Sequence, residues 1–363
     1  MTTGNRTDDA AQGKESGAGR LVAVTGATGY LGSHVVQQLL GAGYRVRAVV
    51  RDPGNAENVG HLQSLVEAPA HPLELVAGDI MRPESLAGAV ADCELVCHMA
   101  SSVRLFARDP QREIVDVAVQ GTKNVLEAIR AAGAAKRVVL TSSIAAVAGD
   151  NLPPDHVFTE ADWNDSADLK VTPYLLSKTL AERAAWQFHG ALPEDERFEL
   201  VALNPSVVMG PLFKKAHVRS SPNTLRDLLV RKIPGCPRIY LAVVDVRDVA
   251  WAHLRALELP DVQGRYILHA QGLWMQEMAR IIAPRFPRFP VPTWRLPDLV
   301  LYGASFFDKR LSLAFLRRNL GKSVRIDNSR SQRELGLRYR PVEETLVDTC
   351  ESFIALGLAR PKK

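Results

Sequence analysis

Cysteine is scarce: Cys93, Cys97, Cys236 and Cys350 are the four in 363 residues. None falls in paired C-x-x-C spacings, which excludes the usual thiolate zinc site. Cys93 and Cys97 share one face of an expected strand, so buried free thiols in a reducing, cytoplasmic setting are expected. Long apolar runs are also missing. The most apolar late stretch, residues 296–316, is interrupted by Asp298, Asp308, Lys309 and Arg310, so no membrane span is expected. That stretch is expected to pack as helix in a C-terminal lobe, with a surface-lying amphipathic helix as the alternative. Charge of one sign never accumulates: 45 Lys+Arg against 40 Asp+Glu leave +5, spread along the chain. A nucleic-acid partner gains no support from that balance. There is no internal repeat and no Gly-x-Ser-x-Gly elbow, which argues against hydrolase chemistry. His98, His253 and His269 have no second ligand at metal spacing, and no metal is expected. Residues 1–19 have no apolar core, so they read as a disordered tail and not as a signal peptide or anchor.

What is present begins with 46% apolar residues, ample for one large α/β domain or two sharing a cleft. The run Leu21-Val-Ala-Val-Thr25 is followed by Gly26, Gly29 and Gly32, and then by Val35, Val36, Leu39 and Leu40 at helical spacing. This reads as strand, tight turn and helix. Gly26 permits the turn, Gly29 lets backbone N–H groups approach a pyrophosphate, and Gly32 lets helix and strand pack closely. Gly26, Thr28, Gly29, Tyr30 and Leu31 are therefore candidate cofactor-binding residues, with the anion on the helix N-terminus.

Further strands are expected over 44–50, 73–76, 94–97, 137–140 and 198–203, with a helix over about 113–132. Their alternation predicts a doubly wound parallel Rossmann sheet, its site at the carboxyl ends of the strands. At the tip of the second strand stands Arg51, suited to the 2′-phosphate of NADP; the alternative is Asp52 on the ribose of NAD. NADP(H) is favoured over NAD(H). Residues 149–172 read as a long loop able to cover the site. Pro173 then opens a helix that puts Tyr174 and Lys178 on one face. The dinucleotide-binding domain is expected over 20–210, rejoined by about 239–269. A smaller mixed α/β lobe for substrate is expected from 211–238 and 270–360.

The segments Thr25-Gly-Ala-Thr-Gly-Tyr-Leu-Gly32, Val50-Arg-Asp-Pro53, Gly78-Asp-Ile80, Thr141-Ser-Ser143, Tyr174-Leu-Leu-Ser-Lys-Thr-Leu-Ala-Glu182 and Asn204-Pro-Ser-Val-Val-Met-Gly-Pro211 together carry a resemblance. The chain resembles the extended short-chain dehydrogenases/reductases, in the branch of dihydroflavonol 4-reductases, cinnamoyl-CoA reductases and NADPH-dependent ketone and aldehyde reductases. That resemblance implies adenine contacts from Asp79 and Ile80. It implies nicotinamide-side contacts from Met99, Ala100, Ser101, Pro205, Ser206, Val207 and Val208, and a Ser143, Tyr174 and Lys178 catalytic set. Three positions depart from the branch: Ala148 replaces the Asn that holds flavonoid hydroxyls, Asn58 replaces a basic residue after the second strand, and Ala118 replaces a relay Asn.

In the expected chemistry Tyr174 donates a proton to a carbonyl oxygen, Lys178 steadies its phenolate and holds ribose hydroxyls, and Ser143 hydrogen-bonds that oxygen. Ser142 competes with Ser143 for this last role, and alternation lets only one face the cofactor. Leu212, Phe213, Trp274 and Trp294 line either an apolar substrate pocket or the core of the second lobe. The expected function is reversible reduction of a small or medium apolar ketone or aldehyde by a monomer or homodimer. Hydroxysteroid dehydrogenation and nucleotide-sugar epimerisation or dehydration, the latter kept open by Lys214, Lys215 and Arg219, are alternatives. A non-catalytic NADP-binding redox sensor is the alternative of another class.

Overall fold

The run Leu21–Thr25 forms β1, buried at every position, and lies within a seven-stranded sheet. The computed structural model describes residues 17, 19–101, 107–150, 152–153, 155–305 and 313–361. The expected disordered tail, apart from residues 17 and 19, lies outside the described residues, as does 306–312 of the apolar 296–316 stretch. Along the chain follow β2 (Arg45–Val50), β3 (Glu74–Ala77), β4 (Leu95–His98), β5 (Arg137–Thr141), β6 (Val157–Phe158), β7 (Glu199–Pro205), β8 (Val207–Met209), β9 (Tyr240–Asp245), β10 (Gly264–Leu268), β11 (Gln271–Trp274) and β12 (Arg325–Ile326). The large sheet is parallel throughout, in the order β10-β7-β5-β4-β1-β2-β3. The chain therefore builds outward from β1 through β2 and β3, then returns to β4 on the other side. That reversal leaves a crevice at the carboxyl ends of β1 and β4, where Thr25 and His98 are paired.

Both faces of the sheet are covered, which is why its strands read as continuous apolar runs. The alternation of β1 divides the two sides. Val22 and Val24 pack with Val35, Val36 and Leu39 of α1 (Tyr30–Gly41), and also with Val249. Leu21 and Ala23 pack with Val125, Leu126 and Ile129 of α2 (Asp116–Ala132), together with Ala185 of α3 (Pro173–Ala191). Val249 belongs to α4 (Val246–Glu258), which lies against α1.

A second sheet, in the order β11-β9-β8, holds a separate apolar cluster with α5 (Met275–Ile282) and α6 (Val342–Ala355). Here the expected return of 239–269 to the main sheet divides. β10 takes the edge beside β7, with Gly264 opposite Val201, whereas β9 pairs with β8 and places Asp245 opposite Met209. The loop over 149–172 is tied down, since β6 pairs with β12 and Arg265 of β10 donates to the carbonyls of Glu160 and Asp162 at 2.8 and 2.5 Å.

Candidate active site

The turn after β1 has no room for side chains at two of its glycines. Gly26 adopts φ +72, and a Cβ there would lie 2.9 Å from the Ala100 backbone; a Cβ on Gly32 would lie 2.2 Å from the Gly26 carbonyl. Gly29 caps α1 without a side-chain hydrogen bond, and the first turn carries no acidic residue. Its backbone N–H groups, at Tyr30 and Leu31, are thus left for an anion, and the residues present fit a dinucleotide pyrophosphate. Tyr30 braces the turn from the other side by donating its hydroxyl to the Gly210 carbonyl at 2.8 Å. The Thr28 carbonyl accepts from His217 at 3.2 Å.

At the end of β2, Arg51 is exposed, while Asp52 accepts from the Gly54 N–H at 3.0 Å and so closes its own turn. The guanidinium thus stands open to solvent at the strand tip. Asp79 accepts from Met81 N–H at 2.9 Å, and Ile80 leans on Gly121 of α2, where a Cβ would meet Ile80 Cδ1 at 2.6 Å. Thr25 fixes the chain after β4, its hydroxyl accepting from the N–H groups of Met99 and Ala100 at 3.1 Å each. With both lone pairs used, Thr25 donates its proton to Nδ1 of His98 at 2.9 Å. His98 is neutral, because burial and, less strongly, the Lys178 charge push it down to about 4. Across the crevice, β7 ends at Pro205, and the Ser206 N–H donates to Leu268 at 2.9 Å before Val207 and Val208 open β8.

Ser142 and Ser143 follow β5 and point opposite ways. Ser143 accepts from Ala145 N–H at 3.1 Å, and its side chain acts on the Tyr174 phenol. Ser142 faces inward, donating to Glu182 Oε2 at 2.5 Å. Alternation thus selects Ser143 as the partner of the tyrosine. Burial raises the Tyr174 phenol above its ordinary range and Ser143 opposes that rise, so Tyr174 holds its proton at neutral pH. Lys178 is buried, one helical turn on, with Nζ 5.9 Å from the Tyr174 ring centre and donating to Ser101 Oγ at 3.2 Å. Burial pulls its ammonium down to about 8, and Glu182 acts in the other direction.

Residues passed over in the sequence complete the surroundings. Glu182, Asn204 and Arg265 are all buried; Asn204 donates to the Ser143 carbonyl at 3.2 Å and to Glu182 at 2.7 Å. The available signal was the repeat of four from Tyr174 through Lys178 to Glu182. The apolar candidates of the second lobe disperse: Leu212 enters the lobe core, Phe213 packs on His34 at 4.3 Å, Trp274 meets Tyr240 at 5.3 Å, and Trp294 is exposed beside Arg231. Lys214 donates to the Asn58 carbonyl at 2.8 Å. Among the described residues no group of three His, Cys, Asp or Glu is placed to hold a metal ion, and no helix is long and apolar enough to cross a membrane.

Comparison with known proteins agrees with this geometry. The model of the NAD dependent epimerase/dehydratase family matches residues 22–268. Cinnamoyl-CoA reductase CAD2 of Medicago truncatula is 34% identical over 348 residues, covering 93% of this chain and 97% of that protein. Tetraketide alpha-pyrone reductase 1 of Arabidopsis thaliana is 34% identical over 339 residues, covering 93% and 96%. Among solved structures, yeast methylglyoxal/isovaleraldehyde reductase Gre2 complexed with NADPH has a TM-score of 0.76 at 27% identity, covering 93% of this chain and 99% of that one.

Proposed function

This chain belongs to the NAD-dependent epimerase/dehydratase family, within the extended short-chain dehydrogenases/reductases, and from that premise we propose that it is an NADPH-dependent carbonyl reductase. Its substrate is a small or medium apolar ketone or aldehyde, reduced reversibly to an alcohol. The observation that carries this reading is the Tyr174 and Lys178 pair on one face of α3, with Nζ 5.9 Å from the ring centre and donating to Ser101 Oγ at 3.2 Å, and with Ser143 at the end of β5 acting on the phenol. Support also comes from the relatives, which are named reductases of cinnamoyl-CoA and tetraketide alpha-pyrone, and from the NADPH held by Gre2.

NADPH, when bound, supplies the hydride. The α1 N-terminus and Gly29 would hold its pyrophosphate, and Arg51 would pair with the 2′-phosphate. Met99, Ala100, Ser101 and residues 205–208 would border its nicotinamide end, and Lys178 would hold the ribose hydroxyls. Ser143 hydrogen-bonds the substrate's carbonyl oxygen, and Tyr174 gives that oxygen its proton. A redox sensor needs no proton donor, so the grouping of Ser143, Tyr174 and Lys178 favours the enzyme. Ala148, where flavonoid reductases carry Asn, turns the choice away from dihydroflavonols. The four cysteines, buried and unpaired, support a reducing, cytoplasmic setting. The test follows NADPH and NADH oxidation optically with aliphatic aldehydes, aryl ketones, diketones and steroids. Turnover with NADPH on apolar carbonyls is expected; silence across the panel despite tight NADPH binding would overturn the reading.

A further inference from the structure

The face of α3 that carries Tyr174 and Lys178 continues at the same spacing to Glu182, whose side chain is wholly buried. Its partners are donors. Oε2 accepts from Ser142 Oγ at 2.5 Å and Asn204 Nδ2 at 2.7 Å, and Oε1 accepts from Arg265 Nε at 2.6 Å and Trp186 Nε1 at 3.3 Å. Four donors thus converge on its two oxygens, a set that suits a carboxylate. Arg265 is itself buried, stacked 3.9 Å from the centre of Trp163 and held by the carbonyls of Glu160 and Asp162.

Two connections lead from this pair to the reacting groups. Asn204 bridges the Glu182 carboxylate and the Ser143 carbonyl, so the end of β5 is pinned to α3. Lys178 and Glu182 also line one small polar cavity together with His98, Ser101, Thr122 and Ser142. The titratable groups round it are His98 from β4, which is neutral, and Lys178 and Glu182 from α3. Tyr174 lies along the same helix, and Arg265 of β10 engages Glu182 from behind.

We propose that Glu182 is a positioning residue for the reduction: its buried carboxylate sustains the charge on Lys178 and fixes the strand end bearing Ser143, while Arg265 limits how much of that charge Lys178 feels. The proposal rests on the Ser143, Tyr174 and Lys178 reading. Energetically, Lys178 stands between burial, which drives off its proton, and Glu182, which retains it. Neutralising Glu182 takes the ion-pair partner from Arg265 and the nearby negative charge from Lys178. Neutralising Arg265 does the reverse, strengthening the field of Glu182 at Lys178.

Opposite signs make the proposal separable from simple structural support. The experiment records kcat/KM for carbonyl reduction against pH, and in parallel the 13Cε titration of Lys178 in lysine-labelled protein, assigned by its loss in Lys178→Met. In Glu182→Gln the alkaline limb and the Lys178 titration should both move about 1 to 2 pH units lower, as expected for loss of one nearby buried charge. In Arg265→Met both should move upward. A slower Glu182→Gln enzyme with both titrations unmoved would overturn the proposal, since structural support alone lowers rate without shifting them. If Glu182→Gln does not fold, Arg265→Met decides: an upward shift supports the proposal and an unchanged or lowered titration contradicts it. A wild type that turns over no NADPH would refute the functional reading instead, while the lysine titration still decides the electrostatic claim.

Discussion

Arg51 and Asp52 stand side by side at the end of β2, and either side chain type can select an adenosine ribose. Asp52 accepts the Gly54 N–H at 3.0 Å, closing its own turn, and Arg51 is exposed at the strand tip; we propose the guanidinium as the partner of the 2′-phosphate. Arg51→Ala should therefore raise KM for NADPH by roughly 10- to 100-fold, the worth of a charged hydrogen bond, and leave KM for NADH nearly unchanged. Steady-state kinetics with both cofactors check this; equal effects would remove the 2′-phosphate role. The choice between Ser142 and Ser143 was half legible beforehand. Alternation said that one must turn inward, but only the Glu182 carboxylate, at 2.5 Å from Ser142 Oγ, says which.

Close packing of α1 on the first turn is the element on which cofactor binding depends. Because a Cβ at Gly32 would fall 2.2 Å from the Gly26 carbonyl, backbone against backbone, the helix has to move if that position is filled. Gly32→Ala should lose at least about 1 to 3 kcal/mol of stability through overpacking and weaken NADPH binding, read by thermal unfolding and by quenching of protein fluorescence. Unchanged affinity would show that the cradle tolerates a wider turn. This element was legible because its information is local: glycine spacing, an apolar run before it and helical periodicity after it. The helix from Pro173 was legible for the same reason. β9 was not, since Tyr240–Asp245 has a strand's apolar pattern in either sheet. Its place is set by β10 taking the edge beside β7, a pairing that periodicity does not encode. The pair Glu182–Arg265 joins α3 to β10, and no local pattern announces such a distant contact.

Six histidines, His34, His61, His98, His217, His253 and His269, have their pKa pushed down by burial, to about 4 for five of them and about 3 for His217. Several tie distant parts together, as where His253 joins Thr141 Oγ1 at 2.7 Å and the Val249 carbonyl at 2.8 Å. In the unfolded chain each takes a proton near pH ~6.5. Between that value and about 4 the unfolded state binds more protons, so stability rises with pH across this window and is lost as pH falls through it. Calorimetry from pH 8 to pH 4 should show Tm flat above about 7 and falling steeply below about 6; a flat Tm down to pH 4 would contradict neutral burial of these rings. The molecule as a whole thus presents a doubly wound parallel sheet, with the glycine turn, Arg51 and Ser143 each following the carboxyl end of a strand at its common edge. At that edge, we propose, Tyr174 donates the proton in an NADPH-dependent carbonyl reduction. Tyr174→Phe, assayed beside the wild type for NADPH consumption and for NADPH binding, should lose turnover by about 10²-fold or more while binding the cofactor as before; turnover equal to the wild type would contradict the account.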